Sequence, residues 1–137
     1  DLDHFKSVND SYGHPAGDKL ITEVAQVLRR RPREGDVVGR LGGDEFAVAL
    51  PTCRPDEATV VAEAIVRSIR EHEPADPEIE AVTVSVGVAN FGGDPLMSYA
   101  TLVSEADTAM YAAKDAGGDS FRVFHPDAIQ VTAPGRS

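Results

Sequence analysis

Along this chain, stretches with apolar residues at helical spacing take turns with short runs of strand character. Phe5, Val8 and Tyr12 predict about two helical turns with one buried face. Gly13, Pro15 and Gly17 then predict a turn, and Gly17 or Asp18 is expected to cap a helix running to about Arg31. Leu20, Ile21, Val24, Val27 and Leu28 form its apolar face, Arg29-Arg30-Arg31 suits the negative end of its dipole, and Pro32 stops it. Arg33-Glu34-Gly35-Asp36 reads as a turn into a hairpin. Asp36–Leu41 and Phe46–Leu50 are runs of strand length, the second closed by Pro51, with Gly42-Gly43-Asp44-Glu45 at the tip.

A second long helix is expected from about Pro55 to Arg70 or Glu71, with acids in its first turn and Val60, Val61, Ala64, Ile65, Ser68 and Ile69 as its buried stripe. Residues 73–80, rich in proline and acid, predict a surface loop, and Ala81–Ala89 alternates branched and small residues like a strand with one buried face. After the break at Gly92-Gly93-Asp94-Pro95, Tyr99–Ala116 predicts another helix. Leu102, Val103, Ala106, Ala109, Met110 and Ala113 share one of its faces, and Gly117-Gly118 ends it. Phe121–Phe124 fits a last short strand, and residues 126–137 are expected to form a disordered tail. This order predicts an α/β or α+β sandwich, with helices covering a mixed sheet. Nothing in front of Asp1 supplies a strand to place its carboxylate.

Composition narrows the function classes. The chain's 137 residues, 42% of them hydrophobic, suit one domain with one core. No run approaches the roughly 20 apolar residues of a membrane span, and the chain opens on Asp-Leu-Asp rather than on a basic leader. Cys53 stands alone, which excludes an internal disulfide, suits a reducing compartment and gives a cytoplasmic expectation. A formal charge of −10 argues against nucleic acid or an anionic membrane as direct partners, but not against nucleotides bridged to carboxylates by metal ions.

Candidate chemistry gathers at two places. At the hairpin tip, Gly42-Gly43 supplies positive φ for a tight turn with Asp44-Glu45 keeping it wet, or else bare backbone lets a phosphate approach while the acids hold Mg²⁺. Near the start, Asp1, Asp3, Lys6, Asn9 and Asp18 are more varied than a solvated acidic loop requires. His4, His14, His72 and His125 share no metal-ligand spacing, and His14 reads as a turn or packing residue. Phe5, Phe46, Met110 and Tyr111 read as core.

Together these stretches resemble the GGDEF family of diguanylate cyclases, which condense two GTP molecules into cyclic di-GMP. The resemblance is carried by Asp-Leu-Asp-His-Phe-Lys-Ser-Val-Asn-Asp, Gly13-His14, Gly17-Asp18, Arg33-x-x-Asp36 and Arg40-Leu41-Gly42-Gly43-Asp44-Glu45-Phe46. It continues through Val84-Ser85-Val86-Gly87-Val88 and Ala106-Asp107-x-Ala109-Met110-Tyr111-x-Ala113-Lys114. It implies a palm-like, nucleotidyl-cyclase-like mixed sheet flanked by helices over residues 1–125, lacking the family's first helix and strand. It also implies that Asp1, the Leu2 carbonyl, Asp44 and Glu45 bind Mg²⁺ or Mn²⁺, two ions per site. Asp44, Glu45 and Lys6 would serve catalysis, Asn9 and Asp18 would recognise guanine, and Gly43 would admit the nucleotide. Lys6 and Lys114 would neutralise phosphate. Arg33 and Asp36 would form an inhibitory site for the product, and a homodimer would be needed for turnover. A phosphate-contacting arginine is expected where Gly118 stands, so Gly118→Arg should strengthen GTP binding. A GTP- or cyclic di-GMP-sensing module without activity is the alternative, and another nucleotidyl cyclase is a third reading that Asn9 with Asp18 disfavours.

Overall fold

The computed structural model describes residues 1–30 and 35–125. Its elements, in chain order, are α1 (Phe5–Tyr12), α2 (His14–Arg29), β1 (Val37–Arg40), β2 (Phe46–Ala49), α3 (Pro55–Glu71), β3 (Ser85–Val88), α4 (Tyr99–Asp115) and β4 (Ser120–Val123). The expected disordered tail at 126–137, and Arg31, Pro32, Arg33 and Glu34, lie outside the described residues.

β1 and β2 pair antiparallel, with Val37 opposite Ala49 and Arg40 opposite Phe46, and β3 and β4 pair parallel, with Ser85 opposite Ser120. Residues 1–3 join the two pairs. On one side the Leu2 N–H donates to the Asp44 carbonyl at 3.2 Å; on the other, Asp3 N–H donates to Thr83 at 3.0 Å and Ser85 N–H to Asp1 at 3.0 Å. Leu2 faces Val84 as an antiparallel bridge. Parallel and antiparallel neighbours therefore coexist, as the expected mixed sheet requires. Asp1 is placed by its own backbone, whose nitrogen and carbonyl pair with Ser85.

Side chains alternate across this surface. Leu2, Val84 and Val86 point to a core shared with Leu20, Ile21 and Val24 of α2 and Val66 and Ile69 of α3. Leu2 is only 1% exposed, and burying such a side chain is worth about 1.5–3 kcal/mol. Gly87 points to the opposite face, where α4 lies so close that a Cβ on Gly87 would overlap the Ala106 carbonyl oxygen and fall 2.5 Å from the Met110 nitrogen. Ala109 and Ala113, both fully buried, keep the rest of that helix face shallow enough for the approach. Helices thus cover both faces of the sheet.

Several expectations shift. α2 starts at His14, not after Gly17: Pro15 stands in its first turn, where the missing N–H costs nothing, and the turn shrinks to Gly13 at φ 89°. The strand expected over Ala81–Ala89 is regular only at Ser85–Val88; before it, Thr83 pairs with Asp3, and Val84 bridges Leu2 and accepts from Ser120 N–H at 3.3 Å. The buried stripe of α3 is Ala58, Ala62, Val66 and Ile69; of the expected stripe, Ile69 is buried and Ile65 packs on the core, whereas Val60 is 66% exposed. Tyr111, expected in the core, is exposed on the outer side of α4, whereas Phe5 and Phe46 pack on the core and Met110 is buried. Among the described residues, no helix is long and apolar enough to cross a membrane.

Candidate functional site

The segment Asp1–Asp3 carries the first acids of the site, and its pairing decides where they point. With Leu2 committed to the core, Asp1 and Asp3 are turned to the α4 side of the sheet. The Lys114 ammonium, near the C-terminal end of α4, meets them there. It lies 3.5 Å from Asp1 Oδ1 and donates to the Leu2 carbonyl at 3.5 Å and to Asp3 Oδ1 at 3.4 Å. The Asp1 amine is held below its ordinary range by burial and by Lys114, while the charges of Asp3, Asp44 and Glu45 act in the opposite sense. These groups therefore share one neighbourhood.

Asp44 reaches it from the hairpin tip, tied by its backbone carbonyl to Leu2. The tip is held from within. The Arg40 guanidinium folds back so that Nε donates to the carbonyls of Gly42 and Gly43 at 3.0 and 3.1 Å, and Nη2 donates to Gly43 at 2.6 Å. Leu41 N–H closes the loop onto the Glu45 carbonyl at 2.9 Å. Neither Gly42 nor Gly43 adopts a positive φ, which removes turn geometry as the reason for this glycine pair. Internal packing does not explain it either. A Cβ at Gly43 would meet nothing within 4 Å, and one at Gly42 only Glu45 Oε2 at 3.8 Å. The bare backbone at the tip faces open space.

Asn9 and Asp18 sit on the two helices that follow Asp3. Asn9 Oδ1 is buried and has no hydrogen-bond partner among the described residues. It lies across Gly17 of α2, where a Cβ would overlap Oδ1 and fall 2.9 Å from Asn9 Cγ. Gly17 is thus a helix-interior glycine that makes room for the Asn9 amide. Asp18, next in the chain, and Lys6 on α1 are exposed. His14 is exposed as the first residue of α2, and the Cys53 thiol donates to its neighbour Arg54's carbonyl at 3.4 Å. Arg33 lies outside the described residues. Asp36 stands half-buried beside an apolar groove formed with Leu28, Val48, Leu50, Val61 and Ile65.

Sequence reasoning gave Asp3 no role, yet it is only 7% exposed and the most heavily bonded acid of the group. Its Oδ1 accepts from Ser85 Oγ at 2.6 Å, and its Oδ2 from Thr83 Oγ1 at 2.7 Å and the Asp119 N–H at 2.8 Å. Burial alone would raise its pKa. The Ser85 and Thr83 hydroxyls, the Asp119 amide and Lys114 outweigh burial and hold it below the ordinary carboxylate range. The period-two relation to Asp1 was the available signal.

Position 118 also reads differently in three dimensions. Gly118 has φ 75°, and a Cβ there would stand 2.7 Å from Asp3 Oδ2 and 2.8 Å from Asp3 Cγ. An arginine introduced at 118 would require this turn and the Asp3 carboxylate to shift together. Arg70 of α3 braces the same turn through a two-pronged pair with the Asp119 carboxylate, at 2.9 and 3.0 Å.

Among the described residues, no three His, Cys, Asp or Glu side chains converge as a ready-made metal cage. The donors expected from the resemblance, Asp1, the Leu2 carbonyl, Asp44 and Glu45, are all oxygen, which in chemical type fits a hard dication such as Mg²⁺ or Mn²⁺.

Several known proteins are similar to this chain. The bifunctional diguanylate cyclase/cyclic di-GMP phosphodiesterase MucR of Pseudomonas aeruginosa is 39% identical over 124 residues, covering 90% of this chain and 18% of that protein. Diguanylate cyclase A of Treponema denticola is 40% identical over 118 residues, covering 85% of this chain and 32% of that protein. The chain thus spans less than a third of either relative. Among solved structures, the GGDEF domain of YfiN from Pseudomonas aeruginosa superposes with a TM-score of 0.85 at 33% identity, over 97% of this chain and 78% of that one. The GGDEF domain of DgcB from Caulobacter crescentus, in complex with c-di-GMP, gives 0.82 at 32% identity, over 91% and 72%. The family described as "Diguanylate cyclase, GGDEF domain" matches residues 1–120, from the paired acids of the first segment through Gly118 to the start of β4, and the chain belongs to that family.

Proposed function

We propose that this domain condenses two GTP molecules into cyclic di-GMP. In each half-reaction a 3′-hydroxyl attacks the α-phosphate of the other nucleotide, the bond to pyrophosphate breaks, and the hydroxyl proton leaves to solvent or a nearby base. Each domain holds one GTP, so two copies must face each other. The observation that carries this reading is the glycine pair at 42–43, required by neither φ nor packing and set beside Asp44 and Asp1.

Asp1, the Leu2 carbonyl, Asp44 and Glu45 would hold two Mg²⁺ or Mn²⁺ ions. Such ions, when bound, make the attacking hydroxyl more acidic and neutralise the triphosphate. The chain's own residues do the rest. Asp18 accepts from the guanine N1–H and N2–H₂ edge, which adenine lacks, and Asn9 meets the remaining polar edge. Lys6 and Lys114 place positive charge against phosphate oxygens. Gly17→Ala should displace the Asn9 amide and weaken GTP binding by about tenfold or more, the scale of one lost hydrogen bond to a buried polar group. Calorimetry checks this, and an unchanged Kd would remove Asn9 from the nucleotide site.

Incubation of the protein with GTP and Mg²⁺ tests the function directly, by chromatographic detection of cyclic di-GMP and pyrophosphate. Product inhibition belongs to the same reading. Arg33 offers a planar fork to phosphate or the guanine O6/N7 edge, and Asp36 accepts from N1–H and N2–H₂. The native protein should stall early as product accumulates, whereas Arg33→Ala should run to near-complete GTP consumption. Equal stalling in both would remove the inhibitory site. The absence of an arginine at 118 favours the second reading, a module that binds GTP or cyclic di-GMP without turnover; nucleotide binding with no product would establish it.

A further inference from the structure

We propose that Asp3 is a positioning residue of the nucleotide site: its buried carboxylate fixes the Lys114 ammonium beside Asp1 and holds the 117–119 turn against it. The proposal rests on the phosphate-binding role given to Lys114 above and assigns Asp3 no contact with substrate.

An isolated carboxylate is costly to bury unless its lone pairs are filled. Those of Asp3 are filled by four donors from three parts of the chain. Thr83 and Ser85 come from the approach to β3 and its first residue, Lys114 from the end of α4, and the Asp119 amide from the turn into β4. Three of these donors are short, at 2.6–2.8 Å, and rigidly mounted; the fourth is a long flexible chain at 3.4 Å. The short bonds set the carboxylate, and the carboxylate sets the lysine.

A free lysine side chain carries rotamer entropy that binding a phosphate would otherwise have to remove. Here Lys114 is already confined between Asp1, the Leu2 carbonyl and Asp3, with its side chain 27% exposed, so it still reaches the surface of the site. Asp1 alone does not account for this confinement, since the ammonium is as close to Asp3 as to Asp1. The turn is set by the same group. With the Asp119 amide aimed at Oδ2 and Gly118 at φ 75°, any Cβ at 118 lands within 3.1 Å of three atoms of the Asp3 carboxylate group.

Two double-variant cycles test the proposal in the full protein, one on nucleotide binding and one on unfolding. The probe for binding is a non-hydrolysable GTP analogue with Mg²⁺, measured by calorimetry. Asp3→Asn should weaken binding by about tenfold, and Lys114→Met by at least as much. The double variant should be no weaker than Lys114→Met alone, because Asp3 acts only through that lysine. In turnover, Asp3→Asn should raise KM more than it lowers kcat. Should Asp3→Asn fail to fold, Thr83→Val removes one donor and leaves the charge in place; it should weaken binding several-fold with little change in Tm. For the turn, Gly118→Ala should lower Tm clearly in the native background and markedly less beside Asp3→Ala. Unaltered binding in both Asp3→Asn and Thr83→Val, additive losses in the Asp3/Lys114 pair, or equal costs of Gly118→Ala in both backgrounds would overturn the positioning role. A native protein that binds no guanine nucleotide would overturn the functional reading, and the Lys114 clause with it.

Discussion

Asp44→Ala is expected to cut cyclic di-GMP formation by about a hundredfold or more, the scale of removing a main electrostatic stabiliser of a transition state. As the α-phosphate passes through its five-coordinate geometry, negative charge concentrates on its oxygens. In the proposed mechanism Asp44 is one of the few carboxylates that would hold a dication there. The loss should be chemical rather than structural. Asp44 is tied into the fold through its backbone carbonyl, which receives the Leu2 N–H, and alanine keeps that carbonyl. The variant should therefore melt close to the native protein while turnover disappears. Near-normal activity with Mg²⁺ would remove Asp44 from the site.

Gly87→Ala should have the largest effect on stability, without touching the site directly. A Cβ at 87 would overlap the Ala106 carbonyl oxygen and approach the Met110 nitrogen to 2.5 Å and the Ala106 carbonyl carbon to 2.9 Å. All three are backbone atoms of α4, so no side-chain rotation relieves the clash. The helix must lift off β3 or lose its own hydrogen bond at that turn. Overpacking usually costs about 1–3 kcal/mol, and a backbone obstacle belongs at the upper end or beyond. For a domain of this size that lowers Tm by roughly 10 °C or more. Thermal unfolding followed by circular dichroism is the measurement, and a Tm within about 2 °C of native would show that α4 is not seated as described.

The long helices and the hairpin were legible because their apolar spacing is strong and proline or glycine marks their ends. The start of α2 was not. Pro15 and Gly17 look like turn residues in a sequence, yet one occupies the first helical turn and the other clears space for Asn9. Periodicity in α3 was also ambiguous. The valines at 60 and 61 outweigh the alanines at 58 and 62 on any hydrophobicity count, but the sheet accepts the flatter alanine face. At the candidate site, the family resemblance pointed to Asp1, Asp44 and Lys114. It gave Asp3 no role because the hydroxyl partners that define it lie 80 and 82 residues away.

The seam at residues 1–3 ties the aim of Asp1 and Asp3 to a leucine. Its neighbours alternate strictly, so a slip by one residue would turn Leu2 out of the core toward Lys114 and carry carboxylates into the hydrocarbon core. Neither half of that exchange is tolerable: about 1.5–3 kcal/mol of burial would be lost, and a charge would be stripped of its donors. Misregister at this point is thus self-rejecting during folding. A molecule that closes its core at all closes it with both acids facing Lys114, and an oily residue with no chemistry of its own acts as the proofreader of the site.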